Sequence, residues 1–124
     1  MKYTLMALFT LVLISSNGCS RQSTKHHIVT TNQGKFIVDK QKSILHINRT
    51  FELYKRYKAY KAMAIAMDKD GRYIIGYAKD AKSSSAAQTI ALENCQKANM
   101  HAQLKVSTAC TLYAIENVIL NPLQ

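Results

Sequence analysis

The clearest strand in the chain is marked by strict alternation of small and large apolar side chains. Residues 61–67 alternate between small residues at Ala62, Ala64 and Ala66 and large ones at Met63, Ile65 and Met67. A period of two residues is that of a β-strand, whose side chains point alternately to the two faces of a sheet. We expect a turn over residues 68–71, in which Gly71 takes a positive φ, and a return strand over residues 72–78.

A helical period of apolar residues follows this hairpin. Ser83 to Ser85 offer N-caps, and Ser85 with Gln88 has the spacing of a capping box. One apolar stripe at helical spacing carries Ala87, Ile90, Ala91, Cys95 and Ala98, with Leu92 beside it. Its small alanines predict a helix packed tightly on the sheet. Residues 104–106 predict a short strand, and residues 110–115 predict a last strand that continues over 118–120 after a kink.

The pattern is less regular between residues 34 and 60. Two β-prone runs, residues 36–38 and 44–47, flank the polar residues 39–43 and predict a hairpin. Asn48 or Thr50 would then cap a helix. The apolar side of that helix would carry Phe51, Leu53, Tyr54, Tyr57 and Tyr60.

These elements predict one α+β domain over residues 34–124. Its centre is a small antiparallel sheet packed by one main helix, with an extra hairpin and helix on the N-terminal side. A chain of 124 residues is long enough for one domain and too short for two.

The first 18 residues have the pattern of a secretory signal peptide. Lys2 precedes an apolar run over residues 5–14, and small polar residues follow it. Ten helical residues span about 15 Å, which is half of a hydrocarbon core of about 30 Å. The run is therefore too short for a transmembrane helix.

Two kinds of processing fit the end of this segment. Ser16 and Gly18 are small residues at the −3 and −1 positions, as ordinary signal peptidase requires. Gly18-Cys19 after an apolar run also resembles a bacterial lipobox, in which the cysteine is acylated with chains such as palmitate. Ser16 departs from the leucine that usually stands three residues before that cysteine.

The number of cysteines favours lipidation. The chain has three cysteines, and acylation of Cys19 leaves Cys95 and Cys110 as a pair that can be oxidised together. We therefore expect a lipidated Cys19 followed by a flexible tether up to residue 33, with the protein anchored in the outer membrane. Ordinary cleavage would instead give a periplasmic or secreted protein.

Residues 60–118 combine the strands and the helix with a characteristic motif. The helix carries Ala87, Ala91-Leu92 and Cys95 in the pattern A-x3-A-L-x2-C, and Cys110 begins the last strand. This combination resembles a family of small exported bacterial domains of unknown function. The resemblance implies an α+β fold and an exported location, but it implies no reaction.

Cys95 and Cys110 are predicted to form a structural disulfide. Closing a loop of this length stabilises a fold by about 3 kcal/mol in the chain-entropy model. A redox or metal-binding pair is the alternative. The spacing is not the C-x-x-C of thiol oxidoreductases, and no second cysteine or histidine pair completes a zinc site.

The sequence contains no recognisable catalytic motif. A G-x-S-x-G elbow, a phosphate loop and a kinase signature are all missing. The histidines lack the spacing of metal ligands and stand at His26, His27, His46 and His101. We predict a protein that is not an enzyme and binds neither a cofactor nor a metal. A hydrolase would require a pocket of convergent titratable groups.

An excess of basic residues makes anionic partners the natural choice. Lys and Arg number 17 against seven Asp and Glu, which gives a formal net charge of +10. Cations and aromatic rings interleave at Tyr54, Lys55, Arg56, Tyr57, Lys58, Tyr60 and Lys61. This segment is interpreted as a solvated helix face, as a site for an anionic glycolipid, peptidoglycan or partner protein, or as a nucleic-acid site that lacks a known motif.

The favoured function is that of a bacterial envelope lipoprotein that binds a protein partner or an anionic envelope component. Its lipid anchor would hold it at the membrane. The alternative is an exclusion, immunity or inhibitor lipoprotein that blocks an incoming protein. Nothing in the sequence indicates an oligomeric state.

Overall fold

The computed structural model describes residues 26–31 and 34–124. Along this part of the chain the elements are β1 (His27–Thr31), β2 (Gly34–Val38), α1 (Lys40–Tyr54), β3 (Ala62–Met67), β4 (Tyr73–Ala78), α2 (Ser84–His101), β5 (Thr111–Ile115) and β6 (Val118–Ile119). Four strands form a central antiparallel sheet in the order β4-β3-β5-β6, and β1 pairs with β2 in a separate hairpin. The predicted α+β class is confirmed.

Strand β3 lies between β4 and β5 in the central sheet. It places small side chains on one face of the sheet and large side chains on the other. Its small side chains face α2, where the buried residues are Ala62, Ala64, Ala66, Ala78, Ala87, Ala91, Cys95 and Val106. Its large side chains face α1, where the buried residues are Ile47, Phe51, Tyr54, Met63, Ile65, Tyr113 and Ala114. The predicted alternation is thus confirmed, and each face of β3 has its own helix.

Contact between β4 and α2 is close enough to involve the backbone. A Cβ added to Gly76 would lie 2.1 Å from the backbone nitrogen of Cys95 and 2.6 Å from the carbonyl oxygen of Ala91. Only glycine fits at this position. The disulfide between Cys95 and Cys110 joins the same helix to the start of β5, which confirms the predicted pairing.

Helix α1 begins earlier than the sequence pattern indicated. Asp39 is its N-cap, and the Asp39 carboxylate accepts hydrogen bonds from the backbone N–H of Gln41 at 3.0 Å and of Lys42 at 3.3 Å. Residues 44–47 are therefore helical, and the predicted hairpin between residues 36–38 and 44–47 is wrong. Asn48 and Thr50 lie inside the helix and do not cap it.

Helix α1 also ends before two of the aromatic residues assigned to it. Its buried stripe consists of Ser43, Ile47, Phe51 and Tyr54. Leu53 is 56% exposed, so its predicted place on the apolar side is wrong. Tyr57 and Tyr60 follow the end of the helix and belong to a loop.

The true hairpin partner of residues 36–38 lies on their N-terminal side. The register of β1 and β2 runs from His27 opposite Val38 to Thr31 opposite Gly34. Most residues of β1 are β-branched, as strands prefer. The segment predicted as a tether up to residue 33 therefore includes a strand at His27–Thr31.

Asp68 ties the β3–β4 turn to the loop before β5. It is 7% exposed, and its carboxylate accepts hydrogen bonds from the backbone N–H and hydroxyl groups of Ser107 and Thr108 at 2.6–3.1 Å. Burial alone would raise the pKa of Asp68, but these hydrogen bonds outweigh it and lower the pKa from 3.8 to about 2.

The same loop is held from the other side by α2. The Asn99 side chain bonds both the N–H and the carbonyl of Val106 at 2.8 Å, as a neighbouring strand would. Residues 104–106 form a loop, and the strand predicted there is wrong.

Replacement of Gly76 by alanine tests the backbone contact. We expect Gly76→Ala to lower the free energy of unfolding by about 3 kcal/mol, because β4 and α2 must separate to admit one methyl group. Urea unfolding followed by circular dichroism measures the change. Thr111→Ala, at an exposed position of β5, is the control and should cost less than about 1 kcal/mol. Equal stability of the two variants would contradict the tight contact.

Acid should weaken the Asp68 cluster in a defined pH window. Because the folded pKa lies below the ordinary value, the stabilisation is complete above about pH 4 and is lost as the pH falls towards 2. At pH 6, we expect Asp68→Asn to be less stable than the parent by about 2 kcal/mol, and this difference should shrink at pH 2. Unfolding curves at both pH values measure it. Asp80→Asn removes an exposed carboxylate and should leave stability nearly unchanged. A difference for Asp68→Asn that does not depend on pH would refute the assignment.

Candidate functional site

The basic aromatic segment 54–61 runs from the end of α1 to β3 and lies beside the end of β4. The backbone N–H of Asp80 donates to the carbonyl of Lys58 at 3.1 Å, and that of Ala81 donates to the carbonyl of Tyr60 at 3.0 Å. These bonds bring residues 55–60 next to residues 79–82. Side chains from two distant parts of the sequence therefore share one surface.

Lys61 does not belong to that surface. It is 4% exposed, and its ammonium group donates to the carbonyl oxygens of Lys55 at 2.7 Å and Tyr57 at 2.9 Å. These carbonyls follow the C-terminus of α1, where the helix dipole favours a positive charge. Its backbone N–H donates to the Glu116 carboxylate at 3.0 Å. Lys61 therefore holds the loop in place. Its ammonium group is buried and is not accessible to an anion, contrary to the prediction.

Tyr54 is buried as well. It is 1% exposed and stacks on Phe51 with ring centroids 5.6 Å apart, while the Lys61 ammonium lies 5.3 Å from its ring centroid. Among the described residues its hydroxyl has no hydrogen-bond partner. Burial, followed by the charge of Glu116, raises the pKa of Tyr54. Tyr54 belongs to the core under α1 and is removed from the predicted site.

The half-buried Tyr57 and the exposed Tyr77 form a stack at the surface. Tyr57 stacks on Tyr77 with ring centroids 5.5 Å apart, and the Lys79 ammonium lies 4.4 Å from the centroid of the Tyr57 ring. A hydrogen bond with Tyr57, the charge of Tyr57 and burial all raise the pKa of Tyr77. We call the group formed by Arg56, Tyr57, Lys58, Tyr60, Tyr77 and Lys79 the Tyr57 surface.

The cations on and beside this surface differ in their exposure and in their ion pairs. Arg56, Lys58 and Lys79 are exposed. Lys55 is half-buried, and its ammonium pairs with the Glu52 carboxylate at 2.8 Å. An ion pair within one helix turn leaves less of the Lys55 charge for a ligand. The structure thus brings together Arg56, Lys58, Tyr57 and Tyr60 of the predicted site.

Tyr77 and Lys79 belong to this surface, although the sequence pattern does not indicate them. They lie some twenty residues further along the chain, and local spacing does not relate them to Tyr57. The register offers a signal, because Tyr77 pairs with Met63 and so points to the face of the sheet that carries α1. A residue on that face at the end of β4 lies close to the end of α1.

A second candidate site is a cleft of about 410 Å³ beside the start of α1. Its lining includes Val38, Asp39, Ser43, His46, Tyr73 and Leu104. His46 Nδ1 is hydrogen-bonded to the Tyr73 hydroxyl, and the Ser43 hydroxyl donates to the Asp39 carbonyl at 3.1 Å. Ser43 and His46 are thus hydrogen-bonded to different groups and not to each other. They do not form the nucleophile–base pair of a hydrolase.

Within residues 26–31 and 34–124, no three histidine, cysteine or acidic side chains come together as metal ligands. In the same part of the chain, no helix has the length and apolar character needed to cross a bilayer. Cys19 and the predicted signal peptide lie outside the described residues.

Comparisons with protein-family models, with curated proteins and with solved structures found no match to this chain.

Proposed function

We propose that this protein is a bacterial envelope lipoprotein that acts as a non-enzymatic binding module for an anionic envelope component. The Tyr57 surface would bind the phosphate groups of that component. The observation that carries the proposal is the stack of the half-buried Tyr57 on the exposed Tyr77, with the Lys79 ammonium over the Tyr57 ring and the exposed Arg56 and Lys58 beside it.

The arrangement suits a phosphate-bearing amphipathic ligand for two reasons. Each exposed lysine or arginine near an anionic membrane contributes about 1 kcal/mol of attraction, so three of them together increase affinity by roughly a hundredfold. Exposed tyrosine rings are favoured at membrane interfaces, because they combine an apolar ring with a polar hydroxyl. A lipid anchor at Cys19 would keep this surface close to such headgroups.

Removal of the exposed cations tests the binding surface. We expect the triple variant Arg56→Gln, Lys58→Gln and Lys79→Gln of residues 20–124 to bind phosphatidylglycerol vesicles at least tenfold more weakly than the parent chain. Cosedimentation measures binding at low salt, and the effect should shrink as salt screens the charges over about 8 Å.

A matched control separates this surface from net charge. Lys35→Gln, Lys69→Gln and Lys97→Gln together remove the same charge from exposed positions elsewhere. Equal loss of binding in both triple variants would contradict a specific surface. No binding by the parent chain at low salt would overturn the proposal.

Lipidation of Cys19 is tested separately. Cells that express the parent should incorporate labelled palmitate into the protein and retain it in the membrane fraction, because several acyl chains anchor a protein durably. Cys19→Ala should lose the label, whereas Ser20→Ala should keep it. An unlabelled parent with a free N-terminal cysteine would show that the protein is secreted without lipid.

A further inference from the structure

Strand β4 is an edge of the central sheet, and its outer backbone groups can be identified. Asp68 N–H donates to the Arg72 carbonyl at 2.8 Å, which makes these two residues a hydrogen-bonded pair of the β3–β4 ladder. Because such pairs alternate in an antiparallel ladder, the backbone groups of Tyr73, Ile75 and Tyr77 point away from β3. Among the described residues no strand pairs with this side of β4.

A groove follows this edge on the side of α2. It has a volume of about 410 Å³ and is lined by residues 75–79 of the strand and by Ile90 and Asn94 of the helix. Ile90 is 40% exposed there, so it lies at the border of the apolar stripe predicted for this helix and not in the core. Asn94 Nδ2 donates to the Tyr77 carbonyl at 3.0 Å, as expected for an outward-pointing group. The groove therefore offers apolar surface beside the outward-pointing backbone groups of Ile75, whereas Asn94 already binds the Tyr77 carbonyl.

The two ends of this edge differ in charge. Near Ala78, the exposed Lys79 and Lys58 outnumber Asp80. Near Tyr73, the Arg72 guanidinium is already paired with the carboxylates of Asp68 at 3.3 Å and Asp70 at 2.9 Å. An acidic group on a ligand strand is therefore favoured at the Lys79 end alone. A second copy of the chain is disfavoured, because each copy carries a formal charge of +10.

We propose that the β4 edge binds an extended segment of a partner protein as an additional antiparallel strand of the central sheet. Acidic residues at the N-terminal end of that segment would lie near Lys79, and an apolar side chain would enter the groove beside Ile90. Every pairing in this sheet is antiparallel, and the addition of a strand to an exposed edge is a common mode of peptide recognition. This inference goes beyond the proposed function and shares only Lys58, Tyr77 and Lys79 with the Tyr57 surface.

Hydrogen exchange of the intact protein in neutral detergent micelles tests the proposal. The probe is the capped peptide Asp-Asp-Val-Thr-Val-Thr-Val, and the control is the same peptide in reverse order. We expect the first peptide to slow the amide exchange of Tyr73 and Ile75 at least tenfold, while Ile74 and Gly76 change little because β3 already pairs with them. The reversed peptide should bind more weakly, because its acidic residues would face Asp68 and Asp70 in an antiparallel complex.

Two variants of α2 locate the bound peptide. Ile90→Glu should weaken binding on the order of tenfold through lost apolar contact and charge repulsion, whereas Gln96→Glu adds the same charge at an exposed position outside the groove and should change it less than about twofold. Lys79→Gln should weaken binding up to about fivefold.

Several outcomes would overturn the inference. These are no protection at Tyr73 and Ile75 with millimolar peptide, equal binding of both peptides, or a dimer of the free protein that pairs through β4. Loss of vesicle binding in the triple variant alone would bear on the proposed function and would leave this inference standing.

Discussion

The backbone contact between β4 and α2 is the constraint on which the rest of the fold depends. Gly76 permits it, and the alanines on both elements keep the layer between helix and sheet thin along its length. Because α2 lies directly on β4, the outer side of the helix borders the free edge of the sheet. The groove beside Ile90 is therefore a consequence of the same small residues that close the core. The Cys95–Cys110 disulfide joins this helix to the residue before β5, and it stabilises the fold mainly by constraining the unfolded chain.

The opposite face of the sheet is built from large side chains, and this determines where the Tyr57 surface forms. Met63 and Ile65 meet the aromatic residues of α1, whose backbone lies further from the strands than that of α2 does. The chain must then return from the end of α1 to β3. Lys61 stabilises the loop that connects them, because its ammonium group binds the carbonyls of Lys55 and Tyr57. This loop lies beside the end of β4.

Local patterns in the sequence predicted the elements whose period was long and unambiguous. The alternation of β3 and the small-residue stripe of α2 belong to this class. The run at residues 44–47 does not, because four apolar residues fit a buried strand or one turn of a helix equally well. The Asp39 cap decides between them, yet a single aspartate also suits a turn. The Asp68 cluster joins residues about forty positions apart, and no local period encodes such a contact.

Lys61 and Lys58 show why composition alone does not define a binding site. Both stand in the same basic aromatic segment, and both were assigned to the same surface. One ammonium group replaces its water shell with two backbone carbonyls and becomes part of the core, whereas the other remains in solvent. The difference arises because the carbonyls of Lys55 and Tyr57, which follow the end of α1, accept hydrogen bonds from Lys61 and not from Lys58. In such a segment, only the cations that do not already bind backbone carbonyls of the fold are available to a ligand.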